Sequence, residues 1–347
     1  MEILCWSGLH IFHYICTKAE SDMWRIFLKI VVALIALVVI LLLFFGARVW
    51  WSNRQPLLPE GYYLQTPSGG ELESRYVGQG AYDVEQMIFE VEDKVMRHLT
   101  IYCPKDRDEH FPLVLIVNGS NMRASRYLPF FSRLASWGFV VVGCEDPMAG
   151  RGDSTSAMLD YLLVAAEDST HPLYELLDTT KIGVAGYSQG GAGAIRAVTE
   201  FANSDRYTTL FTCSAASKEI SDALNWSYDP HKIQIPYFMV AGTGTSDAGD
   251  GKQDGWVGVT PLASLQYNFD AMPDNVTRCM ARCIGAEHEQ MQMRSDSYLT
   301  AWMLYWLRGE NDAWSVFSQF DGEIFNNALW QDVALYEADT EDFSQAE

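Results

Sequence analysis

Residues 182–191 read IGVAGYSQGG. Ile182–Ala185 is short and apolar, as a buried strand requires, and Gly191–Phe201 is rich in small residues at helical spacing. Between them Gly186-Tyr187-Ser188-Gln189-Gly190 fits the pattern Gly-x-Ser-x-Gly. Such a turn is so tight that its serine takes a strained backbone conformation, and the flanking glycines leave the room it needs. Ser188 is therefore expected to project at the carboxyl end of a sheet. The helix N-terminus behind it favours developing negative charge. A free Gly-x-Ser-x-Gly match is weak on its own, and a tight turn without chemistry would give the same five residues. A strand before it, a helix after it and the further Gly191 make it a specific nucleophile signal.

A serine hydroxyl needs a base, and the base needs an orienting acid. After this turn the chain order is serine, acid, histidine. Only His231 and His288 follow Ser188. His231, in Asp229-Pro230-His231-Lys232, precedes a strand and so lies at the wrong end. His288 follows the strand Arg278–Ile284 through Gly285-Ala286-Glu287, on the same edge as Ser188. The acid should leave the strand Tyr237–Ala241. Asp247 comes first in that loop, with Asp250 and Asp254 as alternatives; three Asp in a Gly-rich loop also suggest Ca²⁺, although the spacing does not fit the regular Ca²⁺ loop. Two backbone N–H groups are needed for an oxyanion. Gln189 supplies one. The turn Asn118-Gly119-Ser120-Asn121 supplies the other, with Ser120 the best placed and Gly119 and Asn121 its neighbours.

Outward from this centre, strands and helices alternate. Val84–Val91 and Val95–Tyr102 flank Glu92-Asp93-Lys94 as an antiparallel hairpin. Leu113–Val117, Phe139–Gly143 and Leu210–Cys213 read as further buried strands. Helical spacing covers 126–136, 158–166, 262–272 and 297–307. This predicts an α/β fold with a mostly parallel sheet covered on both faces. Roughly 20 residues separate Cys213 from Tyr237, too few for a large helical cap.

The chain opens differently. Ile26–Phe45 is an apolar run broken only by Lys29, long enough at about 1.5 Å per residue to cross a bilayer. Trp24, Trp50 and Trp51 flank it as interfacial anchors would. A cleaved signal peptide has a shorter apolar core and small residues at its cut site. An uncleaved anchor is thus the expectation, with Met23 an alternative start. Lys18, Arg25 and Lys29 against Arg48 and Arg54 favour a cytoplasmic N-terminus and an extracytoplasmic main domain. The layout read from the sequence is a short N-terminal segment over 1–25, a transmembrane helix over 26–45, a linker over 46–75, a catalytic domain over 76–330 and an acidic tail over 331–347.

Net charge is −21. Residues 1–55 carry +2, so the remainder holds −23, which argues against a nucleic-acid partner. Seven Cys without a Cys-x-x-Cys pair make neither a disulfide scaffold nor a zinc knuckle. Cys279 and Cys283 are about 13 Å apart along one strand, too far to bond to each other. No phosphate-loop or dinucleotide glycine pattern occurs, so no cofactor is expected.

With these residues in place the chain resembles the α/β-hydrolase family, in particular its bacterial cutinase-like polyester hydrolases and the dienelactone-hydrolase and chlorophyllase-like esterases. The resemblance rests on the elbow at Ser188, on Arg133-Leu134-Ala135-Ser136-Trp137-Gly138-Phe139, on Gly285–His288 and on Ala301-Trp302-Met303. It implies a serine carboxylester hydrolase acting on a small-molecule, lipid or polymer ester through an acyl-enzyme, with Ser188, His288 and Asp247 as triad. The same triad serves acyltransferases and peptidases, and a binding module on this fold is a further alternative. The resemblance also implies a substrate-packing Trp after the sixth strand, for which Trp226 is the candidate. Two departures stand out: Ser120 replaces the oxyanion-loop aromatic of these relatives, and their C-terminal disulfide is missing because no Cys follows Cys283.

Overall fold

The computed structural model describes residues 3–52, 54–105, 109–252, 255–318 and 321–338. It divides into two units, Met1–Gln55 and Pro56–Glu347. The first is one helix, Ile3–Ser52. Its segment Phe27–Ser52 has 26 residues and a mean hydropathy of 3.3, and its most apolar window is buried nowhere. At about 1.5 Å per residue it is long enough to cross a bilayer. The sequence reading ended the span at Phe45 and began a linker at 46. The helix instead runs on through Trp50 and Trp51, with the Arg54 guanidinium 3.9 Å from the Trp50 ring centre.

Among the described residues the second unit holds nine strands: β1 (Val84–Glu90), β2 (His98–Pro104), β3 (Phe111–Val117), β4 (Val140–Cys144), β5 (Leu177–Tyr187), β6 (Thr209–Cys213), β7 (Tyr237–Gly242), β8 (Arg278–Cys283) and β9 (Trp330–Tyr336). They lie in the order β1-β2-β4-β3-β5-β6-β7-β8-β9. From β4 across to β8 every pairing is parallel, while β1–β2, β2–β4 and β8–β9 are antiparallel. All seven residues of β3 are buried. Alternate side chains serve opposite faces: Leu113, Leu115 and Val117 enter one core, Val114 and Ile116 the other. Helices Asp153–Glu167, Gln189–Ala197 and Leu262–Ala271 cover the first face; Leu128–Ala135 and Asp296–Arg308 cover the second. The connection from β6 to β7 holds only the short helix Lys218–Ala223 and the turn Pro230–Lys232, too little to form a cap over the sheet edge.

Two boundaries are corrected. The acidic tail was expected to start at residue 331, yet Trp330–Tyr336 is strand β9, pairing with β8. Without it β8 would be an open edge, which a folded sheet must cover. Arg282 fixes the pairing by binding Asp332 at 2.7 Å, so this acid is a strand residue and not tail charge. The expected linker over 46–75 is also part of the folded unit from Pro56 onward. Glu73, 2% exposed, accepts from Gly69 N–H, Asn327 Nδ2 and Trp330 Nε1. Tyr62 is buried beside the ion pair of Arg133 and Asp296 and donates its hydroxyl to Asp296. Arg133 also donates to Tyr76 O at 2.9 Å and to Thr300 Oγ1 at 2.7 Å. One guanidinium thus ties the segment after Pro56 to a helix on each side of it.

Burial pushes the Asp296 carboxyl up to about 6, against the opposing pull of Arg133 and Tyr62. The pair is therefore expensive to break and of little net benefit over an apolar filling. Arg133→Met is expected to lower unfolding stability by about 3–5 kcal/mol, and Arg133→Met with Asp296→Leu to recover much of it. Urea unfolding followed by tryptophan fluorescence measures both.

Candidate active site

β5 ends at Tyr187, and the helix Gln189–Ala197 starts two residues later. Ser188 alone makes the turn, with φ 57° and ψ −125°. This is a conformation that L-residues rarely take, held only where surrounding structure over-determines it. Three backbone bonds do so. Ser188 N–H donates to Cys213 O at 3.1 Å, and Ser188 O accepts from Gly191 N–H at 2.9 Å and Ala216 N–H at 3.0 Å. Space is equally tight: a Cβ at Gly186 would lie 2.1 Å from Gly190 O, and one at Gly190 would lie 2.3 Å from Val117 O. No other residue type fits at these two positions.

Ser188 Oγ is 3.0 Å from His288 Nε2. His288 Nδ1 is 2.7 Å from Asp247 Oδ1. Asp247 is fully buried, and its second oxygen accepts from Gly242 N–H at 2.7 Å and from the Ser214 hydroxyl. The three residues come from the carboxyl ends of β5, β7 and β8, one edge of one sheet. Of the alternatives for the acid, Asp250 does not join them. Asp250 accepts from Lys252 N–H at 3.0 Å within its own loop; Asp254 lies outside the described residues. His231 pairs with Asp229 at 2.9 Å.

The turn after β3 separates its amides. Gly119 N–H donates to Tyr127 Oη at 3.4 Å, Asn121 N–H to Pro147 O at 2.9 Å and Met122 N–H to Gly119 O at 3.0 Å. Ser120 N–H has no such partner among the described residues, which leaves it and Gln189 N–H at the start of its helix as donors. Two side-chain amides brace the turn. Asn118 Nδ2 donates to Cys144 O and Asp146 O, and Gln189 Nε2 donates to Pro147 O.

Trp226, the candidate for a substrate-packing residue or else a core or surface Trp, follows β6 as expected and lies in the core. It is 8% exposed and belongs to the core on the face of the helix Gln189–Ala197. Its indole lies so close to Gly150 that a Cβ there would be 2.6 Å away. The indole packs against the loop after β4. Two residues of the site went unread. Tyr187 stacks on the His288 imidazole at 4.9 Å and donates its hydroxyl to His288 O at 3.1 Å. Burial raises its phenol far above the ordinary range, so it stays a neutral donor. Ser214 is the second; its φ of 47° is a strain that only the structure reveals. Cys103, Cys144, Cys213, Cys279 and Cys283 are buried and form no disulfide among the described residues.

Residues 75–242 match a family model described as PET hydrolase-like. Over these residues, just under half of its length, the chain is similar to that family. No curated protein matches the chain. The PET hydrolase-like match contains the turn after β3 and the elbow at Ser188, and it ends at Gly242, before Asp247 and His288. A domain of this kind is an ester hydrolase on the α/β-hydrolase fold, which agrees with the strand order and the open sheet edge described above.

Ser214→Ala removes one of the two donors on a carboxylate oxygen that is sealed from water. The expected cost is about 1.5–3 kcal/mol of unfolding stability, the range for a hydrogen bond to a charged group. Chemical denaturation of the variant beside the wild type checks it.

Proposed function

We propose that this protein is a serine carboxylester hydrolase in which Ser188, His288 and Asp247 act as a catalytic triad. The observation that carries the reading is the unbroken chain from Ser188 Oγ to His288 at 3.0 Å and from His288 to buried Asp247 at 2.7 Å. His288 takes the Ser188 proton as Oγ attacks the ester carbonyl. Asp247 holds the imidazole with Nδ1 as donor and stabilises the imidazolium that forms. The amides of Ser120 and Gln189 receive the tetrahedral oxyanion. His288 then protonates the leaving alcohol, and water attacks the acyl-enzyme by the reverse path.

The uncapped sheet edge supports an accessible ester over a deeply enclosed one. Ser120 in the oxyanion turn is exposed and contributes no aromatic ring to the cleft. The helix Phe27–Ser52 acts in this reading as an uncleaved anchor, with the hydrolase domain on the extracytoplasmic side.

Hydrolysis of p-nitrophenyl esters of graded chain length tests the reading. Ser188→Ala or His288→Ala is expected to lower kcat by about 10⁶-fold, and Asp247→Asn by about 10⁴-fold. Ser120→Ala should stay close to the wild type, because the oxyanion donor is its backbone N–H. Retention of ester hydrolysis by pure Ser188→Ala defeats the assignment.

A further inference from the structure

We infer that Ser246 and Glu287 form a reciprocal clasp that positions His288 between Asp247 and Ser188; this rests on the triad reading above. Ser246 stands immediately before Asp247, and Glu287 immediately before His288. Each grips the other's loop. Glu287 Oε2 accepts from Ser246 N–H at 2.8 Å and from the Ser246 hydroxyl, while Oε1 accepts from Thr245 N–H at 3.2 Å. Ser246 Oγ in turn accepts from His288 N–H at 2.7 Å. One hydroxyl on the Asp247 loop therefore bonds both the Glu287 carboxylate and the backbone N–H of the catalytic histidine on the other loop.

The surroundings are built for this contact. Gly244 N–H donates to Ala286 O at 2.8 Å, and Gly285 N–H donates to Thr243 Oγ1 at 2.7 Å. A Cβ at Gly244 would lie 2.5 Å from Glu287 Cδ, although its φ of −67° suits any residue. The space taken by the Glu287 carboxylate and by Ala286 O, 2.8 Å from such a Cβ, calls for glycine there. Trp256 Nε1 donates to Ser246 O at 3.2 Å and pins Ser246 from its other side. Ser246 holds the Glu287 carboxyl below the ordinary range, first through its hydroxyl and then through its N–H, so Glu287 stays an acceptor at neutral pH.

The role is positioning. Neither side chain touches Ser188 Oγ or the imidazole nitrogens, yet both fix the backbone from which the imidazole hangs. A displacement of about 1 Å at a reacting group can cost about 100-fold in rate, while a few bonds at the loop surface add little to global stability. Rate and stability should therefore separate.

The test uses the full chain in detergent with p-nitrophenyl butyrate, and compares Ser246→Ala, Ser246→Thr, Glu287→Gln and the double variant Ser246→Ala/Glu287→Gln. Ser246→Ala and Glu287→Gln are expected to lower kcat by about 10-fold or more, with KM changed by less than about two-fold and melting temperature close to the wild type. Ser246→Thr keeps the hydroxyl and should restore kcat. The double variant should fall no further than the worse single one, since both break one link. Wild-type kcat in Ser246→Ala, additive losses, or losses that track the melting temperature overturn the clasp. Hydrolysis that survives Ser188→Ala in the same assay, or no hydrolysis by the wild type, overturns the triad reading and the clasp with it.

Discussion

The constraint on which the rest of this structure depends is the one-residue reversal at Ser188. A central strand must end and a helix must begin around a single residue at φ 57°. That strain persists only if the neighbours are locked, and they are. Backbone from β3, β6 and the helix itself closes on the turn, with no room for side chains at Gly186 or Gly190. The parallel pairing of β3, β5 and β6 supplies this enclosure, and it depends on strands apolar on both faces. Sheet, elbow and nucleophile are therefore one physical problem with one solution.

The same logic explains how much could be read from the chain. Strands buried on both faces leave continuous, largely apolar runs, so β3, β4 and β7 announce themselves. The elbow couples glycine spacing to backbone geometry and is legible for the same reason. His288 followed from topology, since a parallel sheet delivers every loop after a strand to one edge. Asp247 is the first acid on its loop, and the structure places it against His288 while Asp250 turns to Lys252.

What escaped the reading depends on partners distant in sequence. β9 was obscured because Asp332 looks like tail charge until Arg282 stands opposite it. Tyr62 and Glu73 sit in a Pro- and Gly-rich stretch, and only the buried Arg133 and the Trp330 indole show why they are ordered. Trp226 was assigned by its distance from a strand, which says nothing of which side of the loop it faces. Ser214 and the Ser246–Glu287 contact are hydrogen bonds between loops tens of residues apart, and no local pattern encodes them.

The central claim is that Ser188 is an activated nucleophile whose activation comes through His288. The most direct measurement is peptide mapping, by mass spectrometry, of the full chain in detergent after reaction with a fluorophosphonate. The account predicts one phosphonyl adduct on the peptide carrying Ser188, formed in the wild type and lost in folded His288→Ala. A folded wild type that stays unmodified, or an adduct on another serine that persists without His288, would contradict it.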